Sequence, residues 1–256
     1  MTTFFLILIS ILPVAVLMFI MYKLDKFQKE PIKSLLTAFL GGAFVSIIIT
    51  TILDLVTEWL YPNYPLWFED IVMAGFYEEL SKFLVFMIFI WRDKNFDEFF
   101  DGIVYASFIG LGFACTENIG YVIGSFAEEG TVAFAAGVAL KRAFYAVPGH
   151  FLDGIILGFF LSLAKFREEK RWLYILTGMA IVVFISHGLW DLLIDLYIFD
   201  YVSNVFYYIA SNVLYVALWI LGVNFIRKHR ENSRLQAELA SANEQPTSDN
   251  NELTNS

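Results

Sequence analysis

One cysteine, Cys115, is all the thiol chemistry this 256-residue chain carries, so no internal disulfide, CxxC pair or cysteine-rich metal cluster can form. Its side chain reads as a small buried apolar group. Histidine is nearly as scarce, with three in the chain. No P-loop, dinucleotide-binding fingerprint or HExxH helix appears, which removes the common nucleotide and zincin signatures. No repeat of solenoid or propeller length is present, and the basic residues form no nucleic-acid patch. Met1 to Ser10 lacks a positive n-region and the apolar run continues to Tyr22, so the first span is expected to stay in the mature protein. Polar sequence long enough for a sizeable soluble domain is missing too.

Apolar sequence fills that space. Hydrophobic residues make up 58% of the chain and aromatic residues 18%, at a mean hydropathy of +0.63, against about 45–50% apolar in soluble domains. The fold expected is all-α, a polytopic membrane helix bundle of about seven transmembrane helices near 3–22, 34–56, 67–91, 103–126, 143–164, 172–195 and 204–226. Residues 131–142 are either an extension of the fifth span or an outer interfacial helix.

Loop charges set an orientation. Lys23, Lys26, Lys29 and Lys33 follow span one, Arg92 and Lys94 span three, Lys165, Arg167, Lys170 and Arg171 span five, and Arg227, Lys228 and Arg230 span seven. The alternate loops hold Asp54 and Glu58, Glu128 and Glu129, and Asp200, without Lys or Arg. The positive-inside rule then places the N-terminus outside and the C-terminus in the cytoplasm of a multi-pass plasma-membrane protein. The net charge of −9 is therefore no guide to partners, since the acids sit in outer loops, in the spans and in the tail. Residues 1–230 read as one integral membrane domain. Residues 231–256, rich in Asn, Ser, Glu and Gln, read as a disordered cytoplasmic tail.

Charge inside the spans is the informative feature, because an ionisable group at the bilayer centre costs roughly 2.5–3.5 kcal/mol on translocon scales and faces protein or water. Span three carries Glu78 and Glu79 with Lys82 one turn on; Glu78 and Lys82 share a face, so one glutamate is expected to pair and the other to titrate. Span four carries Glu117 and Asn118 among Gly110, Gly112, Gly120 and Gly124, whose small size suits close helix packing. Span five carries Arg142 ahead of Pro148, His150 and Asp153; the proline is expected to bend the helix and free a carbonyl. In span six, His187 and Asp191 pair at i, i+4.

Depth decides whether these groups can meet. At 1.5 Å per residue Glu117 and His187 lie about 21–22 Å from the inner boundary, His150 about 10 Å and the glutamate pair about 17 Å below the outer one. All five fall between the midplane and the outer leaflet. Two hydrolytic mechanisms suit such a set: a glutamate as general base on water with a histidine stabilising the oxyanion, or Zn²⁺ held by His150, His187 and a glutamate. Neither needs a serine or cysteine nucleophile.

The run Glu78-Glu79-x-x-Lys82, the block Phe113-x-x-x-Glu117-Asn118, the segment Pro148-x-His150 and the pair His187-x-x-x-Asp191, in this order between about Leu66 and Leu196, resemble the PrsW family of intramembrane proteases. The arrangement is also similar to the CAAX prenyl endopeptidase and bacteriocin-processing superfamily. The resemblance implies a bacterial endopeptidase that makes the first, outer-side cut in a single-span anti-sigma factor during a stress response. It implies Glu78, Glu79, Glu117, His150 and His187 as catalytic residues, with His150, His187 and Glu117 as metal ligands if Zn²⁺ is used. Lys82, Asn118, Arg142, Asp153 and Asp191 support them. Two rival classes compete: a non-catalytic membrane scaffold or chaperone, which has no need of two adjacent buried acids, and a proton-coupled transporter, whose usual inverted repeat is not visible here.

Overall fold

The computed structural model describes residues 2–26, 28–199 and 205–244. Among them there is no strand, and the chain folds as eight helices in sequence. They are α1 (Thr2–Leu24), α2 (Ile32–Leu60), α3 (66–90), α4 (Asp101–Glu129), α5 (Val132–Phe144), α6 (Ala146–Phe166), α7 (171–199) and α8 (Val205–Glu244).

Six stretches are long and apolar enough to cross a membrane: Thr2–Leu24, Ile32–Leu60, Asp101–Glu129, Val132–Phe166, Glu168–Ile198 and Val205–Ala242. The remaining expected span coincides with α3, about 37 Å of helix, set apart by the charges of Glu78, Glu79 and Lys82 at its middle. The ends also segregate as expected. Lys165 Nζ donates to Trp91 O at 2.7 Å and Gln28 Nε2 to Asp97 Oδ2 at 3.1 Å, so the Lys/Arg-bearing loops meet at one end of the bundle.

The helix after Thr131 is an extension of the fifth span, broken at Tyr145 (φ −119°, ψ −63°). Pro148 explains the break. Its ring cannot donate to the carbonyl of Phe144 and crowds it; Tyr215 Oη takes that acceptor instead, at 3.0 Å. The freed carbonyl thus serves a helix contact with α8. On its other side α5 buries Ala135 and Ala139 against Leu6 and Val122.

Helix α8 continues past Glu231, where the composition changes, to Glu244. Residues 231–244 are polar but rich in the helix formers Ala, Leu, Glu, Gln and Arg. Two contacts dock the segment: Phe100 N–H donates to Ser233 Oγ at 3.0 Å, and Gln236 Nε2 donates to Asp97 O at 2.8 Å. The remainder of the expected tail, 245–256, lies outside the described residues.

Helices α4 and α6 form the most extensive pair and the centre of the core. Glycine sets their separation: a Cβ on Gly158 would lie 2.2 Å from Gly102 O, and one on Gly110 would lie 2.5 Å from His150 O. On another face of α4, a Cβ on Gly112 would lie 2.0 Å from Phe39 O of α2. Gly120 and Gly124, expected to serve the same purpose, face open space. Gly110→Ala is expected to destabilise the bundle by about 1–3 kcal/mol through overpacking, and to displace the backbone of His150. Thermal unfolding of the variant, read beside its activity, checks both effects.

Candidate active site

Four helices bring the buried charges to one place. Helix α3 widens into π-type turns over Glu69–Glu78, and α7 does so over Val182–His187, so each irregular stretch ends on a polar residue of the site. Such wide turns recur at functional positions because they re-aim side chains out of the regular helical spacing. Helices α4 and α6, locked by their glycines, present Glu117 and His150 from the opposite side.

Lys82 is the hub. Its Nζ lies 2.7 Å from Glu79 Oε1, 3.3 Å from Glu78 Oε2 and 3.0 Å from His150 Nδ1, and 4.1 Å above the Phe113 ring. Both glutamates therefore share the ammonium, where helical spacing alone had assigned it to one. The i, i+3 and i, i+4 positions are both within reach of a lysine.

Around the hub run two carboxylate–histidine arms. In the first, His187 Nδ1 lies 2.9 Å from Glu79 Oε1, while its Nε2 lies 3.2 Å from Asp191 Oδ2 and 3.8 Å from Glu78 Oε2. In the second, His150 Nε2 lies 2.9 Å from Glu117 Oε2, which also accepts from Arg142 Nη2 at 2.5 Å. Arg142 Nε donates to Asn118 Oδ1 at 2.9 Å, and Asn118 Nδ2 to Ser10 O at 2.7 Å, which ties this arm to α1. The two imidazole rings meet edge to face with centroids 5.3 Å apart. Every sequence-derived candidate thus lies in one connected network.

Exposure is graded across it. The side chain of Glu79 is 1% exposed and that of Lys82 4%, against 12% for Glu78, 18% for Glu117 and 28% for Asp191. The network is therefore most open on the Glu78, Glu117 and Asp191 side, and Glu79 is its most enclosed carboxylate.

Two groups of donors can hold a metal ion, each with all its ligand atoms within 4.8 Å of one another. One is Glu79, His150, Asp153 and His187; the other is Glu78, Glu117 and His150. His150 belongs to both, whereas Glu117 and His187 share neither. Asp153 is the addition to the expected ligand set. Its place on the His150 face at i+3 was legible, but its approach to His187 Nδ1 (3.9 Å) depends on how α6 and α7 pack. Ser186, which donates to Asp153 Oδ1, carried no signal in the sequence, and neither did Ser10. Imidazole and carboxylate are borderline-to-hard donors suited to Zn²⁺ and similar ions, so the residues fit a metal.

A sequence model of the PrsW family of intramembrane metalloproteases matches residues 30–221, from α2 into the first half of α8. The chain belongs to the PrsW family. Curated relatives agree: a protease PrsW of Clostridioides difficile is 30% identical, covering 89% of this chain and 92% of the relative. One of Bacillus subtilis is 31% identical over 89% and 96%, and one of Geobacillus kaustophilus 32% over 75% and 80%. No solved structure gives a significant match. The fold thus serves a peptidase that works within a membrane, and the PrsW match spans all of α3, α4, α6 and α7 that build the charged network.

Proposed function

We propose that this PrsW-family protein hydrolyses a peptide bond near the outer membrane side of a single-span protein, as the first cut in an anti-sigma factor during a stress response. The observation that carries the reading is the buried Glu78–Glu79–Lys82 triad bridged to His150 and His187 by hydrogen bonds of 2.7–3.3 Å. A scaffold gains nothing from so much desolvated charge, whereas amide hydrolysis needs a base, an oxyanion partner and a dry enclosure.

Roles follow from the exposure gradient. Glu78, the more exposed of the pair, accepts the proton of the attacking water and returns it to the amine nitrogen as the C–N bond breaks. Glu79 stays ionised against Lys82 and His187 and fixes both. The positive charge of Lys82 and the His187 ring, whose Nε2 lies on the more open Asp191 side, stabilise the oxyanion that forms on the scissile carbonyl, and Glu117 with Arg142 holds His150. When bound, a divalent metal held by Glu79, His150, Asp153 and His187 would polarise that carbonyl or acidify the water.

The test is co-reconstitution of the purified protein in liposomes with single-span anti-sigma factors, mapping products by mass spectrometry and metal content on the same sample. A single cut toward the outer end of the span is expected. Intact substrates throughout would return the scaffold reading.

A further inference from the structure

Beyond His187 the stretches of α3 and α7 that wall the network carry no positive charge. No Lys or Arg occurs from residue 34 to 81 or from 172 to 226, and the cations of the network itself, Lys82 and Arg142, are engaged by Glu78, Glu79 and Glu117. Acids, by contrast, climb this wall. Asp191 stands one turn above His187 and Asp195 two turns above it on α7; Glu69 and Asp70 stand about 12–14 Å above Glu78 on α3.

Asp70 is the telling residue. It is only 4% exposed, and its Oδ2 has no hydrogen-bond partner among the described residues. The charged groups that face it are Asp195, Asp191 and Glu69, all of its own sign. A buried carboxylate surrounded by carboxylates is costly unless a proton or a cation compensates it, and a substrate cation is the one of these that can discriminate among substrates. Neither metal-competent donor group includes Asp70, Asp191 or Asp195, so these carboxylates are too far apart to form one ion's shell. A long, flexible cationic side chain suits that spread better.

We propose that Glu69, Asp70, Asp191 and Asp195 form an acidic vestibule that selects substrates by a Lys or Arg placed just outside the bilayer, next to the bond to be cut. The inference rests on the protease reading and on the outward orientation of this end. Its value for specificity comes from topology. Single-span proteins concentrate Lys and Arg on the cytoplasmic flank, so an outer basic residue is a minority feature and discriminates among the many helices in the membrane. Repulsion of an outer Glu or Asp sharpens the choice from the other side.

The probes are three synthetic single-span peptides with one Leu/Ala span and one inner flank, differing only in an outer residue that is Lys, Gln or Glu. Each is co-reconstituted with the full-length Glu78→Gln protein, which spares the peptide, and binding is read by energy transfer between labels. The Lys peptide is expected to bind at least about tenfold more tightly than the Glu peptide, with Gln between. The preference should collapse when Asp70→Asn and Asp195→Asn are added, and in high salt as the charges are screened. Equal binding of the three peptides, no measurable binding included, overturns the proposal, as does a preference that survives the added Asn pair. Displacement of the Lys peptide by micromolar Ca²⁺ also overturns it, in favour of a metal site. Failure of the unmutated protein to cleave, with the Lys preference intact, would fail the protease reading and leave the vestibule standing.

Discussion

Glu78→Gln is expected to lower peptide-bond cleavage by about 10²–10⁴-fold, the range that a positioned general base contributes, while the protein stays folded. The amide keeps the size of the side chain but cannot take a proton from water. Folding survives because Lys82 retains its 2.7 Å partner, Glu79, and His187 retains both Glu79 and Asp191. Glu79→Gln is expected to be as inactive for a different reason. It removes the carboxylate that holds Lys82 and His187 most closely, at 2.7 and 2.9 Å, and so loosens the geometry as well as the charge. Cleavage rates and thermal unfolding of the two variants in the same lipid separate these cases. Glu78→Gln should leave the unfolding temperature nearly unchanged and Glu79→Gln should lower it. A Glu78→Gln protein that cleaves at the wild-type rate would remove Glu78 from the role of base.

Why the sequence exposes this site is a matter of cost. In a soluble protein Glu78, Glu79 and Lys82 would pass as an ordinary surface helix, since the i, i+3 and i, i+4 spacings are commonplace. Inside an apolar run they stand out, because each must find a partner or water. The same logic finds Glu117, His150, His187 and Asp191, and the π-type turns at Glu78 and His187 only adjust where those side chains point.

What the sequence hides is the pairing between helices. Nothing in the spacing says that His150 takes Glu117 and Lys82 while His187 takes Glu79, or that Asp153 joins the ligand-competent group. Those choices depend on how closely α4, α6 and α7 approach, and that is set by which glycines face a neighbour's backbone. Gly102, Gly110, Gly154 and Gly158 do; Gly120 and Gly124 do not, although the sequence presents them alike. Composition misleads once more at Glu231, where polarity suggests the end of order yet helix propensity and the Ser233 and Gln236 contacts carry α8 on to Glu244. Of the acidic wall the sequence marks out Asp191 alone; Asp70 gains its meaning only when α3 and α7 set it near Asp191 and Asp195.

The other large effect concerns the hub itself. Lys82→Met is expected to destabilise the protein by about 3–5 kcal/mol, the cost of stripping one partner from a buried ion pair, because Glu79 is then left 1% exposed with no permanent cation in contact. The substitution also clears the space between Glu79 and His150 that the ammonium fills, with Nζ 2.7 Å and 3.0 Å from them. A divalent ion suits the same place by charge and by ligand type. Added Zn²⁺ is therefore expected to restore much of the loss in Lys82→Met, about 2.7 kcal/mol at a hundred times its Kd, and to stabilise the wild type far less. Thermal unfolding with and without Zn²⁺, beside metal content, checks this. Equal stabilisation of both proteins would mean that a metal sits beside Lys82 and does not compete with it, so that the lysine and the ion serve the site together. Rescue confined to Lys82→Met would mean that one cation at a time occupies the hub, and that in the native chain the lysine itself fills the electrostatic place of the metal.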